Sequence, residues 1–65
     1  MAKRLVTKAL RRNGCYEVSD DGRHEKWQCS CGKRLTAVPR HAEISVGVVR
    51  GIQRDMECLP EGWLQ

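Results

Sequence analysis

The stretch CYEVSDDGRHEKWQCSCGKRLTAV, residues 15–38, decides the fold. It contains three short runs of strand-compatible composition, and turn residues divide them. The runs are Cys15–Ser19, His24–Ser30 and Arg34–Val38, and the turns are Asp20–Gly22 and Gly32–Lys33. Short runs divided by Gly-containing turns are typical of β-hairpins. The stretch therefore predicts a three-stranded antiparallel meander, which Pro39 ends because proline cannot donate a ladder hydrogen bond.

The middle run sorts its side chains onto two faces, since side chains alternate along a strand. One set is predicted to face the helices and consists of Glu25, Trp27 and Cys29. The other set is predicted to lie on the open face and consists of His24, Lys26 and Gln28. An imidazole on an open face contacts a large ligand without any enclosed pocket.

A helix is predicted over residues 3–13, and Gly14 ends it as a left-handed cap. The apolar positions that share its inner face are Leu5, Val6, Ala9 and Leu10. Its outer face carries five of the twelve basic residues, with no acid before Glu17. These are Lys3, Arg4, Lys8, Arg11 and Arg12. The stripe is interpreted as a surface that tracks phosphates or faces a partner protein, and the alternative is an ordinary solvated helix exterior.

A second helix is predicted to begin near Ser45, which can cap the first amides. Its apolar stripe consists of Val48, Val49, Ile52 and Met56. Gly47 predicts a close approach of the backbone to a packing neighbour or to a phosphate. The apolar tail, about residues 57–65, is expected to fold back or to await a partner. The fold class is thus α+β, in the order α-β-β-β-α, with both helices packed on one face of the sheet.

The length of 65 residues allows one domain, residues 1–65, which buries roughly 60% of its unfolded surface. Such a thin core leaves no room for a deep cavity, so a large ligand on the surface is expected. The net charge of +4 favours polyanionic partners, although ordinary solubility explains it equally well. With no apolar run of about 18 residues and no signal-peptide pattern, we expect a cytoplasmic protein with no membrane partner.

The four cysteines are Cys15, Cys29, Cys31 and Cys58. Two disulfides would suit a secreted chain, and four thiolates would suit zinc. Only one residue separates Cys29 from Cys31, and Cys15 and Cys58 stand alone, so the spacing disfavours zinc. The prediction is small reduced thiols with no metal site.

Four motifs occur in an order that resembles a known family. They are Asn13-Gly14-Cys15-Tyr16, Gly22-x-His24, Val38-Pro39-x-His41 and Ile44-x-x-Gly47-Val48-Val49-Arg50-x-Ile52. Over most of the chain they resemble the HicA toxins of bacterial and phage-type toxin-antitoxin systems. The resemblance implies a double-stranded-RNA-binding-like fold, a ribosome-independent mRNA endonuclease activity and a cognate HicB-like antitoxin that covers the active surface. It maps the essential histidine, which follows the turn at Gly22, onto His24.

The chain departs from the usual family pattern in several places. Arg23 stands where Ser is frequent, and Glu25 stands where a second His is frequent. The Cys-Ser-Cys-Gly turn at residues 29–32 and the tail after Met56 are additions. Glu25 is expected on the buried or edge side of its strand, so no mechanism with two adjacent histidines is available.

The predicted chemistry uses His24 as a general base that takes the proton of a ribose 2′-OH, with no metal or other cofactor. Lys26 and Arg23 are expected to stabilise the charge on the reacting phosphate. His41 is an accessory candidate, as general acid, as a residue that orients its loop or as a donor to a backbone carbonyl. Gly22, in the turn before His24, is the other accessory candidate.

Two other function classes remain open at this stage. One is an RNA-binding module without catalysis, which grips the backbone through Arg11, Arg12, Lys26 and Arg40. The other is a small zinc-binding adaptor.

Overall fold

The computed structural model describes residues 1–64, so the last position of the predicted tail, residue 65, lies outside the described residues. Two helices flank three strands, and the predicted order α-β-β-β-α is confirmed. The elements are α1 (Lys3–Arg12), β1 (Tyr16–Asp20), β2 (His24–Gln28), β3 (Leu35–Pro39) and α2 (Val46–Asp55). Gly14 follows α1 with φ +83°, the left-handed conformation expected of a helix-ending glycine.

The three strands form one antiparallel sheet in the order β1-β2-β3. The register pairs His24 with Pro39 and Trp27 with Thr36. Between Glu17 and Ser19 the pairing of β1 with β2 shifts, which places Val18 as an extra residue in the edge strand. This irregularity was not predicted, because a bulge depends on the partner strand.

The middle strand ends at Gln28, two residues earlier than predicted. The Cys29 N–H donates to the Arg34 carbonyl over 2.8 Å, and the Gly32 N–H donates to the Cys29 carbonyl over 2.8 Å. These bonds turn the chain immediately after Gln28, so residues 29–34 form the connection to β3.

Both helices cover the face of the sheet that carries Trp27, whose side chain is 1% exposed. Around it the largest fully buried side chains are Val6, Leu10, Val38, Ile52 and Met56. On α2 the predicted cap is confirmed, because Ser45 Oγ accepts from the Val48 N–H at 3.4 Å. The Thr36 hydroxyl donates to Asp55 over 3.0 Å and fixes β3 to the end of α2.

The predicted inner faces of the helices need two corrections. Leu5 is 43% exposed, and Thr7 is buried in its place. Burial of Thr7 is tolerated because its hydroxyl donates within the helix, to the carbonyls of Lys3 and Arg4 at 3.3 Å each. Val48 lies at the margin of α2 with 36% exposure, so the packed side of that helix is narrower than predicted.

The segment after α2 folds back on the core, which is one of the two outcomes predicted for the tail. Leu59 and Leu64 are buried, and Trp63 packs partly against the same cluster. Backbone bonds shape the segment, with the Leu59 N–H donating to Met56 and the Trp63 N–H to Pro60. Within residues 1–64, neither helix has the length and apolar character required to cross a bilayer.

Candidate functional site

A carboxylate-rich turn presents the start of β2. Gly22 adopts φ +92°, and its N–H donates to Asp20 Oδ1 over 2.8 Å. Asp21 Oδ1 accepts from two further amides, those of Arg23 at 3.0 Å and His24 at 2.7 Å. The backbone hydrogen bond from His24, followed by that from Arg23, lowers the pKa of the Asp21 carboxyl. The turn therefore fixes the backbone from which the His24 imidazole projects.

The predicted alternation along β2 is confirmed. His24 and Lys26 are exposed on the open face, and Glu25 and Trp27 are buried on the helix face. Arg23, at the end of the turn, is also exposed. Within residues 1–64, the side chains of Arg23, His24 and Lys26 take part in none of the ion pairs or side-chain hydrogen bonds. They are free to contact an anionic ligand.

His41 lies at the same surface pocket as His24. The pocket is lined by His24, Pro39, His41, Glu43, Ile44, Ser45 and Val48. The sheet explains the convergence, because His24 pairs with Pro39 and the Arg40 N–H donates to the Arg23 carbonyl over 3.0 Å. His41 then follows directly after Arg40, so two imidazoles 17 positions apart reach one site.

The N-terminus of α2 forms another wall of this pocket. Its cap residue Ser45 and first-turn residue Val48 both line it. First-turn amides and the helix dipole favour anions at such a position. A Cβ at Gly47 would meet no atom within 4 Å, so the expected packing contact there is wrong. The expected approach of a phosphate to Gly47 stays a prediction.

On the opposite face of β2, hydrogen bonds from two side chains hold the Glu25 carboxylate in place. Its carboxylate accepts from Lys3 Nζ at 2.8 Å and from Trp27 Nε1 at 3.2 Å. Burial raises the pKa of Glu25, but the hydrogen bonds from Lys3 and Trp27 outweigh this effect, so the net pKa is lowered. The expectation that Glu25 lies on the buried side is confirmed.

The comparison with known families was decisive. A family model described as the HicA toxin of bacterial toxin-antitoxin systems matches residues 4–57. The chain belongs to the HicA toxin family. It is therefore the toxin of a toxin-antitoxin system, and family membership implies a cognate antitoxin partner. Comparison with curated proteins and with solved structures gave no match.

The arginines that were predicted to bind phosphate lie in different parts of this HicA toxin. Arg11 lies on the helix side, with its guanidinium 5.1 Å from the centre of the Trp27 ring. Arg12 is exposed on α1, the same helix. Arg40 pairs with Asp20, its Nε donating over 3.1 Å, and its guanidinium lies 3.9 Å from Glu25. Only Arg23 and Lys26 therefore flank His24 without a carboxylate partner within residues 1–64.

Two acidic residues that organise the candidate site were not predicted from the sequence. The Asp21 carboxylate accepts the hydrogen bonds that hold the turn. Glu43 lines the pocket, and its carboxylate accepts a hydrogen bond from the Met1 ammonium at 2.7 Å. A signal for Asp21 was present, because Asp before Gly commonly accepts backbone hydrogen bonds in a turn. No local signal marks Glu43, whose partner lies at the other end of the sequence.

The prediction of unconnected cysteines is wrong for Cys29 and Cys58, which form a disulfide. Disulfides were set aside because the sequence gives no sign of secretion, but the return of the chain along α2 brings Cys58 to the turn that follows β2. Cys31 is a free, exposed thiol, and Cys15 is free and buried. Burial is the main cause that raises the pKa of the Cys15 thiol.

Proposed function

We propose that this toxin is an mRNA endonuclease in which His24 is the general base. The observation that carries the proposal is the shared pocket of His24 and His41, open to solvent and beside two cations without carboxylate partners in the described chain. A second imidazole supplies the acid that a lone histidine lacks. The pocket thus supports acid–base cleavage without a metal ion in the reaction.

The proposed cleavage moves two protons and exchanges one phosphorus–oxygen bond for another. Neutral His24 accepts the proton of a ribose 2′-OH, and the 2′-oxygen forms a bond to the adjacent phosphorus. The bond from phosphorus to the 5′-oxygen breaks, and that oxygen takes a proton from the His41 imidazolium. The products are a 2′,3′-cyclic phosphate and a 5′-OH end.

Cations near the pocket stabilise the extra negative charge of the transition state. Lys26 shares the open face with His24, and Arg23 immediately precedes it. The N-terminal turn of α2 adds a partial positive charge on the side of the pocket that Ser45 lines. Arg40 holds Asp20 in place and so positions the turn, while Arg11 and Arg12 on α1 contact more distant phosphates.

The antitoxin covers the open face of the sheet in this proposal. Tyr16 and Leu35 lie opposite Gln28 on either side of β2, and they are 49% and 55% exposed. These apolar side chains flank the strand that carries His24 and Lys26. A HicB-like protein that buries them would also block access of RNA to His24. Because the substrate is mRNA, the site of action is the cytoplasm.

The test is cleavage of mRNA by the purified toxin in buffer without added divalent metal, with product ends identified chemically. Wild type is expected to leave 2′,3′-cyclic phosphate ends. His24→Ala should lose about 10²- to 10⁴-fold in rate. Its melting temperature should not change, because the imidazole is exposed. Lys8→Ala, which changes an exposed residue of α1, is the control for general loss of charge.

His41→Ala separates the acid role from loop orientation. If His41 is the general acid, the variant should lose the alkaline limb of the pH–rate profile. Retention of that limb would remove His41 from the mechanism. RNA that is bound by wild type and stays uncut would replace the nuclease with a binding module.

A further inference from the structure

Three sulfur atoms meet where the turn after β2 contacts the segment after α2. The sulfurs of Cys29, Cys31 and Cys58 all lie within 4.8 Å of one another. Cys29 is buried, and the other two are exposed. The Cys29–Cys58 bond uses two of these sulfurs and gives no role to the third, that of Cys31, which lies within 4.8 Å of both.

Contacts other than sulfur hold the two segments together. Arg34, at the end of the turn, forms an ion pair with Glu57, the neighbour of Cys58. Backbone hydrogen bonds at Cys29 shape the turn, and the Leu59 N–H bonds the Met56 carbonyl beside Cys58. The Arg34–Glu57 ion pair therefore joins the two segments independently of their sulfurs.

The backbone separation fits ligands of a metal better than a disulfide pair. The Cα atoms of Cys29 and Cys58 are 7.3 Å apart. Disulfides usually span about 4.4–6.8 Å between Cα atoms. Thiolates on a zinc ion are each about 2.3 Å from the metal, which keeps the sulfurs further apart and accommodates a wider backbone spacing.

We propose that Cys29, Cys31 and Cys58 are thiolate ligands of one zinc ion. Thiolate sulfur is a preferred zinc donor, and the solvent side of the cluster, beside Cys31 and Cys58, leaves the fourth position open to water. Lys33, in the same connection, adds a positive charge to a region where the thiolates would be negative. The zinc site forms from the reduced chain, in which the cysteine thiols lose their protons to water as they bind the metal, and it takes the place of the Cys29–Cys58 bond of this structure.

The zinc ion would anchor the end of the chain. Cys58 directly precedes buried Leu59 and lies 29 positions from Cys29, so the metal closes a long loop over a thin core. Domains of this size commonly need a metal or a disulfide in addition to their core. One further argument rests on the proposed function, because mRNA lies in a reducing compartment where structural disulfides are rare.

The experiment measures zinc content and reactive thiols in the full chain purified without reductant. Wild type should hold about one zinc per chain, and all four cysteines should react once it is denatured with chelator. Cys31→Ser is the decisive variant, because it removes a proposed ligand and leaves both sulfurs of the disulfide. It should lose nearly all zinc. Ser30→Ala, in the same turn, is the control and should keep it.

Two results would overturn the proposal. One is a wild-type protein without zinc in which only Cys15 and Cys31 react, and the other is full zinc content in Cys31→Ser. If the variants fail to fold, cobalt(II) replaces zinc in the wild type, and absence of a thiolate-to-cobalt charge-transfer band overturns the site. Chelation of the wild type should lower its melting temperature by about 10 °C. None of these measurements depends on RNA cleavage, so the zinc proposal and the proposed function can fail independently of each other.

Discussion

On the helix side of β2, Glu25 and Trp27 are buried and joined to each other by a hydrogen bond, whereas His24 and Lys26 on the open side are exposed and unpaired within residues 1–64. The residues alternate along one strand of five. Because neighbouring side chains point to opposite faces, this strand carries the candidate chemistry on one side and the packing contacts on the other. A domain with a thin core can in this way use the same backbone for both.

The two faces of β2 also explain why Glu25 cannot replace a second histidine in the proposed reaction. Its carboxylate lies on the helix side with Lys3 and Trp27, while His24 faces the pocket. The second imidazole at the pocket is that of His41, beyond the end of the neighbouring strand. Changes on the two sides of β2 should therefore separate stability from cleavage.

The largest effect on the free energy of unfolding is expected from Glu25→Gln. The substitution removes the carboxylate that pairs with the partly buried Lys3 ammonium, which should cost about 1–3 kcal/mol in the free energy of unfolding. For a domain of this size each kcal/mol lowers the melting temperature by roughly 4–8 °C. Cleavage by the folded protein should not change. Urea unfolding and mRNA cleavage, measured on the same sample, check both expectations.

The same variant should flatten the acid dependence of stability. The folded pKa of Glu25 lies below its ordinary value of 4.5, so its contribution is complete above that pH and is lost as the pH falls through the lowered value. Glu17→Gln, at an exposed acid of β1, is the control. An equal cost for Glu17→Gln would show that Glu25 has no special structural role.

A smaller effect, on cleavage, is expected from Asp21→Ala. It removes the oxygen that accepts from the Arg23 and His24 amides, and so loosens the turn that presents the imidazole. The cleavage rate should fall up to about tenfold, which corresponds to about 1.4 kcal/mol. The melting temperature should change little, because the turn is exposed. Asp21→Asn keeps an acceptor oxygen and should restore most of the rate; failure to do so would assign the loss to charge.

The smallest effect is expected from Gly47→Ala, which should raise stability and lower the cleavage rate. Alanine favours a helix over glycine by about 0.5–1 kcal/mol, and the added Cβ meets no atom within 4 Å. Stability should therefore rise, while cleavage should fall about threefold if a phosphate approaches the first turn of α2. Gly51→Ala, one turn further along in equally open space, should raise stability alone. Identical cleavage by the two variants would exclude that approach.

Much of the fold could be predicted because its signals are local. The alternation along β2, the cap at Ser45 and the left-handed Gly14 depend on a few neighbouring residues each. The exchange of Leu5 for Thr7 in the core could not be predicted, since the rotation of α1 about its axis is set by packing against the sheet. The bulge at Val18 likewise depends on how two strands meet.

The candidate site was predictable only in part. His24, Arg23 and Lys26 are close in sequence, so the turn and the strand period place them together. His41 reaches the pocket through strand pairing, and Cys58 reaches Cys29 through the return of α2. Contacts between residues so far apart leave no periodic signal in the sequence. The pairing of Arg40 with Asp20 was hidden for the same reason.

The extra residue at Val18 has a consequence for how copies of this protein behave in solution. The outer strand of an open sheet offers unpaired amides and carbonyls to any second strand, and regular edges of this kind promote aggregation. A bulge sharpens the local twist and breaks the even spacing that edge-to-edge association requires. The shift between Glu17 and Ser19 thus disfavours extension of the sheet by another molecule at the β1 edge.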